Sequence, residues 1–298
     1  MKSIQIVEDT LPLAWERAVL ECWNNGDSFQ TEYDKSRDPN SRDVTALIHI
    51  KRPSIEPRIH KCMPGGLDDL EKYRAEVLYG VHDHWINPKA GKWEYTYHDR
   101  LFNYSYMECD ENLRAEGKFF NQIEGCLKLL KKCGYTRRAV ASTWQPWHDL
   151  GIADPACLQY FWFRIQDRKL NMNIHIRSND AYKAGFMNMY AFTEVQQWMA
   201  DRLGVEVDEY IHIADSFDIY GSYFEEFGRF LKMVQERPLS ERVYSTCGVI
   251  PGTEDERPID IFIEACGLLL NEQDMPSIMR SAVLDRRLKL IARRESIK

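Results

Sequence analysis

The chain has no glycine-rich phosphate loop. Neither GxGxxG nor a P-loop pattern occurs in its 298 residues, and no GxSxG elbow is present. These absences remove the dinucleotide-binding, P-loop and α/β-hydrolase readings. No apolar run approaches the roughly 20 residues that a membrane span needs. The N-terminal MKSIQIVEDTLPLAWERAVLECW carries acidic residues where a secretory signal has an unbroken apolar core, so a cytoplasmic protein is expected. An excess of positive charge is also missing. Lys and Arg total 39 against 46 Asp and Glu, a net charge of −7. That balance argues against a nucleic-acid or membrane-surface binder and leaves room only for a local basic cluster around a small anion. The eight cysteines form no CxxC pair, so neither a disulfide framework nor a zinc site is indicated. His82 and His84 have no matching pair at zinc spacing, and they read as surface or loop residues. No repeat or Pro/Gly-rich linker divides the chain, which points to one domain over residues 1–298.

What the chain does have is a clear succession of periodic segments. Residues 11–24 show helical periodicity up to Gly26, and 44–50 form a short apolar strand. A helix over 67–80 closes on Gly80, and 120–134 form an amphipathic helix ending at Gly134. Residues 81–118 show no period and read as irregular and aromatic-rich. Strands follow at 138–144, 158–165 and 169–178; in the last, Leu170, Met172, Ile174 and Ile176 alternate with polar residues that include Arg177. A helix over 184–203, a strand over 210–215 and a helix over 222–237 complete the succession. The basic tail reads as a helix with a solvated charged face. Consecutive strands without intervening helices imply an α/β or α+β sheet containing antiparallel pairs.

Within this frame, Cys157 lies twenty residues after the Arg137-Arg138 pair and twenty before Arg177-Ser178. A thiol between arginines suggests a nucleophile beside an anion site, because fixed positive charge lowers thiol pKa and guanidinium forks fit phosphate oxygens. Asn188 adds a carboxamide able to read both N3–H and O4 of a uracil ring. Asp218, Tyr220 and Glu76 add acids and a hydroxyl. Taken singly these are ordinary residues: strand-edge charges, a helix-start asparagine, a surface glutamate. Their joint spacing is what carries information.

That joint pattern, TRRAVASTW, DPACLQYFWF, DRKLNMNIHIRSNDAY, FMN and IHIADSFDIYGSYFEEF, resembles the thymidylate synthase family, most densely over residues 135–227. The resemblance implies a large mixed β-sheet covered by helices and a sheet-to-sheet homodimer. It implies an enzyme that transfers a one-carbon unit from 5,10-methylenetetrahydrofolate to C5 of a pyrimidine nucleoside monophosphate, dUMP to dTMP in the leading case. Cys157 would add to C6 of the base, with Glu76 as general acid/base and Tyr97 near the thiol. Arg177 and Ser178 would hold the 5′-phosphate, and Arg137 and Arg138 would reach the partner subunit's phosphate. Arg37 would be a mobile phosphate ligand, with Arg42 as its competitor. Asn188 would read the base, and Asp218 and Tyr220 the sugar. Asp180 and a tryptophan, Trp85 or else Trp93, would serve the folate. No metal, membrane or nucleic acid is implied.

Three departures from the family pattern bear on the product. Asp218 stands where the family usually has a histidine, which leaves ribose and deoxyribose both open. Leu158 follows the nucleophile where a histidine is usual. The C-terminal RRLKLIARRESIK does not match the family's closing tail, so hydroxymethylation of dUMP, dCMP or CMP stands as the alternative outcome. A non-catalytic nucleotide- or RNA-binding relative is the alternative of another class.

Overall fold

A computed structural model describes residues 1–109 and 115–297. The strands are β1 (Ser3–Glu8), β2 (Asp27–Phe29), β3 (Ser41–Ile50), β4 (Ile59–His60), β5 (Tyr104–Cys109), β6 (Ala115–Phe120), β7 (Val140–Ser142), β8 (Leu158–Gln166), β9 (Lys169–Asp180), β10 (Glu206–Ile219) and β11 (Val243–Tyr244). The helices are α1 (Leu11–Asn25), α2 (Leu67–Tyr79), α3 (Tyr97–Phe102), α4 (Gln122–Lys132), α5 (Pro146–Asp149), α6 (Gly185–Leu203), α7 (Phe224–Glu236), α8 (Leu239–Arg242), α9 (Pro258–Leu270) and α10 (Ser277–Glu295).

Seven strands form one mixed sheet in the order β1-β3-β10-β9-β8-β7, with β2 paired to β3. β7, β8 and β9 run antiparallel, whereas β9 and β10 are parallel and joined through α6. The alternation in β9 decides which face is which. Leu170, Met172, Ile174 and Ile176 are fully buried, while Asn171, Asn173, His175 and Arg177 are partly exposed on the other face. On the buried side Trp15 of α1 is fully enclosed, and its Nε1 donates to the carbonyl of Ala181 at 2.8 Å. That bond ties α1 to the end of β9.

Most of the expected elements are present, within a few residues of their expected ends. The segment taken as irregular contains α3 and the β5–β6 hairpin, and the strand expected at 210–215 runs from 206 to 219 as β10. β1 and α9 were not anticipated. The largest difference concerns α10. Its charge run is not only a solvated face, because Arg286 reaches inward to Glu71, at 3.1 Å from Nε and 3.2 Å from Nη2.

Glu71 also accepts from Arg74 at 2.9 and 2.7 Å and is fully buried. Burial alone would push its carboxyl upward, but Arg74 and Arg286 outweigh burial and hold it low. Nearby Glu194 of α6 pairs with Arg58 and lies 3.9 Å from Arg286. The guanidiniums likewise overcome burial there, and the carboxyl is held down to about 2. This network joins α2, α6 and α10. A buried pair contributes little net stability when intact, yet breaking it strands an uncompensated charge. Glu71→Gln would leave Arg74 without its carboxylate and Arg286 with only the more distant Glu194, and is expected to cost on the order of 3–5 kcal/mol. Urea unfolding should show a lowered midpoint with an unchanged slope.

Among the described residues no helix is long and apolar enough to cross a membrane. The described free cysteines include the buried Cys22, Cys126 and Cys266; the side chain of Cys109 lies outside the described residues.

Candidate active site

Cys157 stands immediately before β8, and its carbonyl accepts the backbone N–H of Arg177 from β9 at 2.8 Å. The Arg177 side chain turns back on the same loop. Its Nε donates to Ala156 O at 3.2 Å and its Nη2 to Pro155 O at 2.7 Å. Two tyrosines hold this corner from the opposite side: Tyr95 and Tyr97 hydroxyls accept from the backbone N–H groups of Cys157 and Leu158, at 3.4 and 3.3 Å. The nucleophile candidate is thus fixed through its backbone, and its thiol is left to a cavity of about 460 Å³.

That cavity brings together Cys157, Tyr97, Ser178, Asp180, Asn188 and Tyr220 from the sequence expectation. It also includes Tyr33, Tyr73 and Asp154, which sequence reasoning did not name. Tyr73 had a usable signal, since it lies three residues before Glu76 and therefore on the same side of α2. Its hydroxyl donates to Asn188 Oδ1 at 2.6 Å. Asn188 is itself buried at the start of α6. Tyr33 comes from the loop between β2 and β3, which docks against Gly221. A Cβ there would stand 1.6 Å from the Pro39 carbonyl oxygen, so only glycine allows this approach. The rings of Tyr33 and Tyr220 meet edge to face at 6.3 Å.

A second cavity, of about 610 Å³, adjoins the first through Tyr73, Tyr97 and Asp154. It holds Glu76, Trp93 and Tyr95. Trp85 does not line it, but stacks on His82 with ring centroids 3.9 Å apart. Trp93, the other candidate, is the tryptophan that lines this cavity together with Glu76. His82 corrects a sequence expectation as well. It is buried and not a surface residue, and its Nδ1 is 2.8 Å from Glu76 Oε2.

The electrostatics also differ from expectation. Burial pushes the Cys157 thiol up; Arg177 opposes this, while Asp154 and Asp218 add to it. Arg177 is the one arginine acting on the thiol, because Arg137 and Arg138 are exposed before the edge strand β7 and line neither cavity. Neither forms an ion pair among the described residues. Arg37 is exposed in the loop that carries Tyr33, whereas Arg42 lies in β3 over the Trp23 ring and donates to the Gly26 carbonyl at 3.4 Å.

Cross-strand register adds negative charge beneath the cavity. Asp218 of β10 pairs with Asp43 of β3 on one side and Asp180 of β9 on the other. Asp218 is 1% exposed and its Oδ2 has no hydrogen-bond partner. Burial, followed by Asp180 and Asp43, pushes its carboxyl up to about 8. Burial also raises Asp180, to about 6, although that carboxylate accepts from the N–H groups of Tyr182 and Lys183. Asp218 does not itself line the cavity; Tyr220, two residues on, does.

The family model for thymidylate synthase matches residues 69–242, which include Glu76, both cavity-lining strand ends and Cys157. The chain belongs to the thymidylate synthase family. A protein of Methanocaldococcus jannaschii named "Putative thymidylate synthase" is 29% identical over 220 residues, covering 72% of this chain and 90% of that protein. A thymidylate synthase of Listeria monocytogenes serotype 4b is 24% identical over 205 residues, covering 68% of this chain and 59% of its own length. The solved structure of thermostable thymidylate synthase A from Bacillus subtilis aligns with a TM-score of 0.57 at 19% identity, over 79% of this chain and 86% of that one. The last comparison supports the fold. Enzymes of the thymidylate synthase family are one-carbon transferases with methylenetetrahydrofolate as co-substrate. No metal-ligating cluster occurs among the described residues.

Two expectations follow from the charges. Alkylation of Cys157 by iodoacetamide, followed by mass spectrometry, should accelerate only above the ordinary thiol range. Arg177→Ala should move that rise to still higher pH, because the one opposing positive charge is gone. For Asp218, a carboxyl whose folded pKa lies above its unfolded one stabilises fully below the unfolded value and loses that contribution as pH rises through the folded value. Asp218→Asn should therefore gain thermal stability relative to the parent from the ordinary carboxylate range up to about pH 8. Parallel pH curves would contradict the buried-acid assignment.

Proposed function

We propose that the protein methylates C5 of a uracil nucleotide, converting dUMP to dTMP with 5,10-methylenetetrahydrofolate. One observation carries this reading: a thiol, a carboxamide and a sugar-level hydroxyl surround one cavity, and a carboxyl lies in the cavity next door. The Cys157 thiolate adds to C6, and C5 becomes a nucleophile toward the methylene carbon of the folate. C5 then loses its proton as the bond from the methylene carbon to the folate nitrogen breaks, which leaves an exocyclic methylene and tetrahydrofolate. Hydride from that tetrahydrofolate, which becomes dihydrofolate, completes the methyl group as the Cys157–C6 bond breaks. This divides one difficult substitution into easier steps.

Asn188 reads the base. Tyr73 donates to its Oδ1, so the Nδ2 amide is free to donate to O4 while the second Oδ1 lone pair accepts N3–H. Tyr220 serves the sugar, with the buried Asp218 two residues before it; Tyr97 holds the backbone N–H of Leu158, next to the nucleophile, and Glu76 exchanges protons at O4. The folate lies in the second cavity against Trp93, with Trp85 behind it, and reaches toward Asp180 in the wall of the first. Its flat pterin suits the aromatic wall of Trp93 and Tyr95.

The phosphate gives the argument for a homodimer. A nucleotide phosphate carries a charge of about −1.5 to −2 at pH 7, more than the single guanidinium of Arg177, already engaged by the Pro155 and Ala156 carbonyls, would balance. Ser178 adds a hydroxyl, and Arg37 adds a charge from the exposed loop that carries Tyr33. Arg137 and Arg138 are exposed and form no ion pair among the described residues, and they supply the remainder to the partner's site. The partly exposed β9 face of Asn171, Asn173 and His175 is the surface through which two sheets meet. The setting is the cytoplasm.

Hydroxymethylation remains the second reading because α10 is pinned by Arg286 to Glu71. In that position it contributes no residue to either cavity. If water is not excluded, it adds to the exocyclic methylene in place of hydride, giving a hydroxymethyl product and tetrahydrofolate.

Incubation with methylenetetrahydrofolate and each of dUMP, dCMP, UMP and CMP, with products weighed by mass spectrometry, decides among these outcomes. A methylated uracil nucleotide with dihydrofolate absorbance is expected. A hydroxymethyl product without that absorbance would move the assignment to the second reading. Cys157→Ser should abolish turnover and the covalent adduct with 5-fluoro-dUMP.

A further inference from the structure

Glu76 does not stand alone in its cavity wall. Its Oε2 is 2.8 Å from His82 Nδ1, and the far ring nitrogen, Nε2, is 3.9 Å from Glu272 Oε1. Glu272 comes from the segment between α9 and α10. Its Oε2 is buried without a hydrogen-bond partner. One face of the imidazole stacks on Trp85 at an interplanar angle of 12°, and the edge of Trp93 approaches at 5.9 Å. His82 is thereby held by two carboxylates in line and an aromatic face. Nothing in the catalytic scheme above uses it. Leu158, the residue after the nucleophile, is apolar, so no imidazole reaches the cavity from that side.

We propose that His82, clamped between Glu76 and Glu272 and stacked on Trp85, is the positioning residue that aims Glu76. The proposal rests on Glu76 being the proton-exchanging group. The ring donates Nδ1–H to Oε2 of Glu76 across 2.8 Å, leaving Oε1 as the oxygen that exchanges a proton with the base. Stacking on Trp85 and the approach of Glu272 to Nε2 fix the ring plane, and with it the direction of that hydrogen bond. No bond of His82 breaks during turnover. The other charged groups nearby are few. Lys72, one turn earlier on α2, feels Glu272. Asp83 is turned to Thr96 and His98, with which it bonds at 2.5 and 2.6 Å.

The test follows tritium release from C5 of the nucleotide, in the full-length protein with methylenetetrahydrofolate. Glu76→Gln should lower the rate by at least about 100-fold; if it does not, the role of Glu76 itself fails, and that result is separate from the outcomes below. His82→Ala should lower kcat by about ten- to hundredfold, the effect of losing a hydrogen bond to a charged group. The nucleotide KM should hold. His82→Asn retains a donor near the Nδ1 position and should recover much of kcat. Glu272→Gln should lower kcat by a smaller factor than His82→Ala. The proposal is overturned if His82→Ala leaves kcat in place. It is equally overturned if His82→Ala changes kcat, KM and thermal midpoint together with no recovery in His82→Asn, because that pattern belongs to packing alone.

Discussion

The register of β9 against its two neighbours is the constraint on which the site depends. Antiparallel pairing to β8 sets Leu158 opposite Ile176 and ties the Cys157 carbonyl to the Arg177 N–H. Parallel pairing to β10 sets Asp180 beside Asp218, two residues before Tyr220. A slip of one residue in either ladder would turn Arg177 and its neighbours to the opposite face. The buried series from Leu170 to Ile176 opposes such a slip, because it would bring Asn171, Asn173 and His175 into the core. The apolar alternation that builds the sheet is therefore also what aligns the chemistry.

This alignment places acids where a basic pocket was expected. Three aspartates lie side by side on β3, β10 and β9, and burial raises the pKa of each. The site holds a thiol of raised pKa and carboxyls at about 6 and about 8. On the proposed reading, a nucleotide's hydroxyls and the arginines of a second copy would alter that balance on binding.

The Glu71 network gives α2 its fixed place. The helix presents Tyr73 to one cavity and Glu76 to the next, while its buried face is held to α10 through Arg286, which also approaches Glu194 of α6. At its C-terminal end Gly80 adopts φ +67°, and a Cβ there would meet the His98 ring at 2.2 Å. The chain can thus turn sharply and return His82 to the glutamate six residues before it. The C-terminal part of the chain takes part twice: through Arg286 on the buried side of α2, and through Glu272 behind His82. Both contacts draw it toward a structural role around the acid, away from the cavity mouth.

Much of the site was legible in the sequence because its members sit at fixed distances from regular elements. Cys157 precedes a β-branched and aromatic run, Arg177 ends an alternating strand, Asn188 opens a helix, and strand and helix periods state where each side chain faces. His82, Tyr33 and Arg286 were not legible in this way. Periodicity carries no information about a loop that docks on Gly221, a turn that folds back on its helix, or a cation that reaches 215 residues along the chain to Glu71. By itself the sequence determined the family and the mixed sheet and singled out Cys157 as the nucleophile candidate, since these rest on local period and spacing. Only the tertiary structure decided that the thiol is raised and not lowered, that Trp93 lines the second cavity, and that Glu76 has a histidine partner, because burial and long-range contact exist only once the chain is folded.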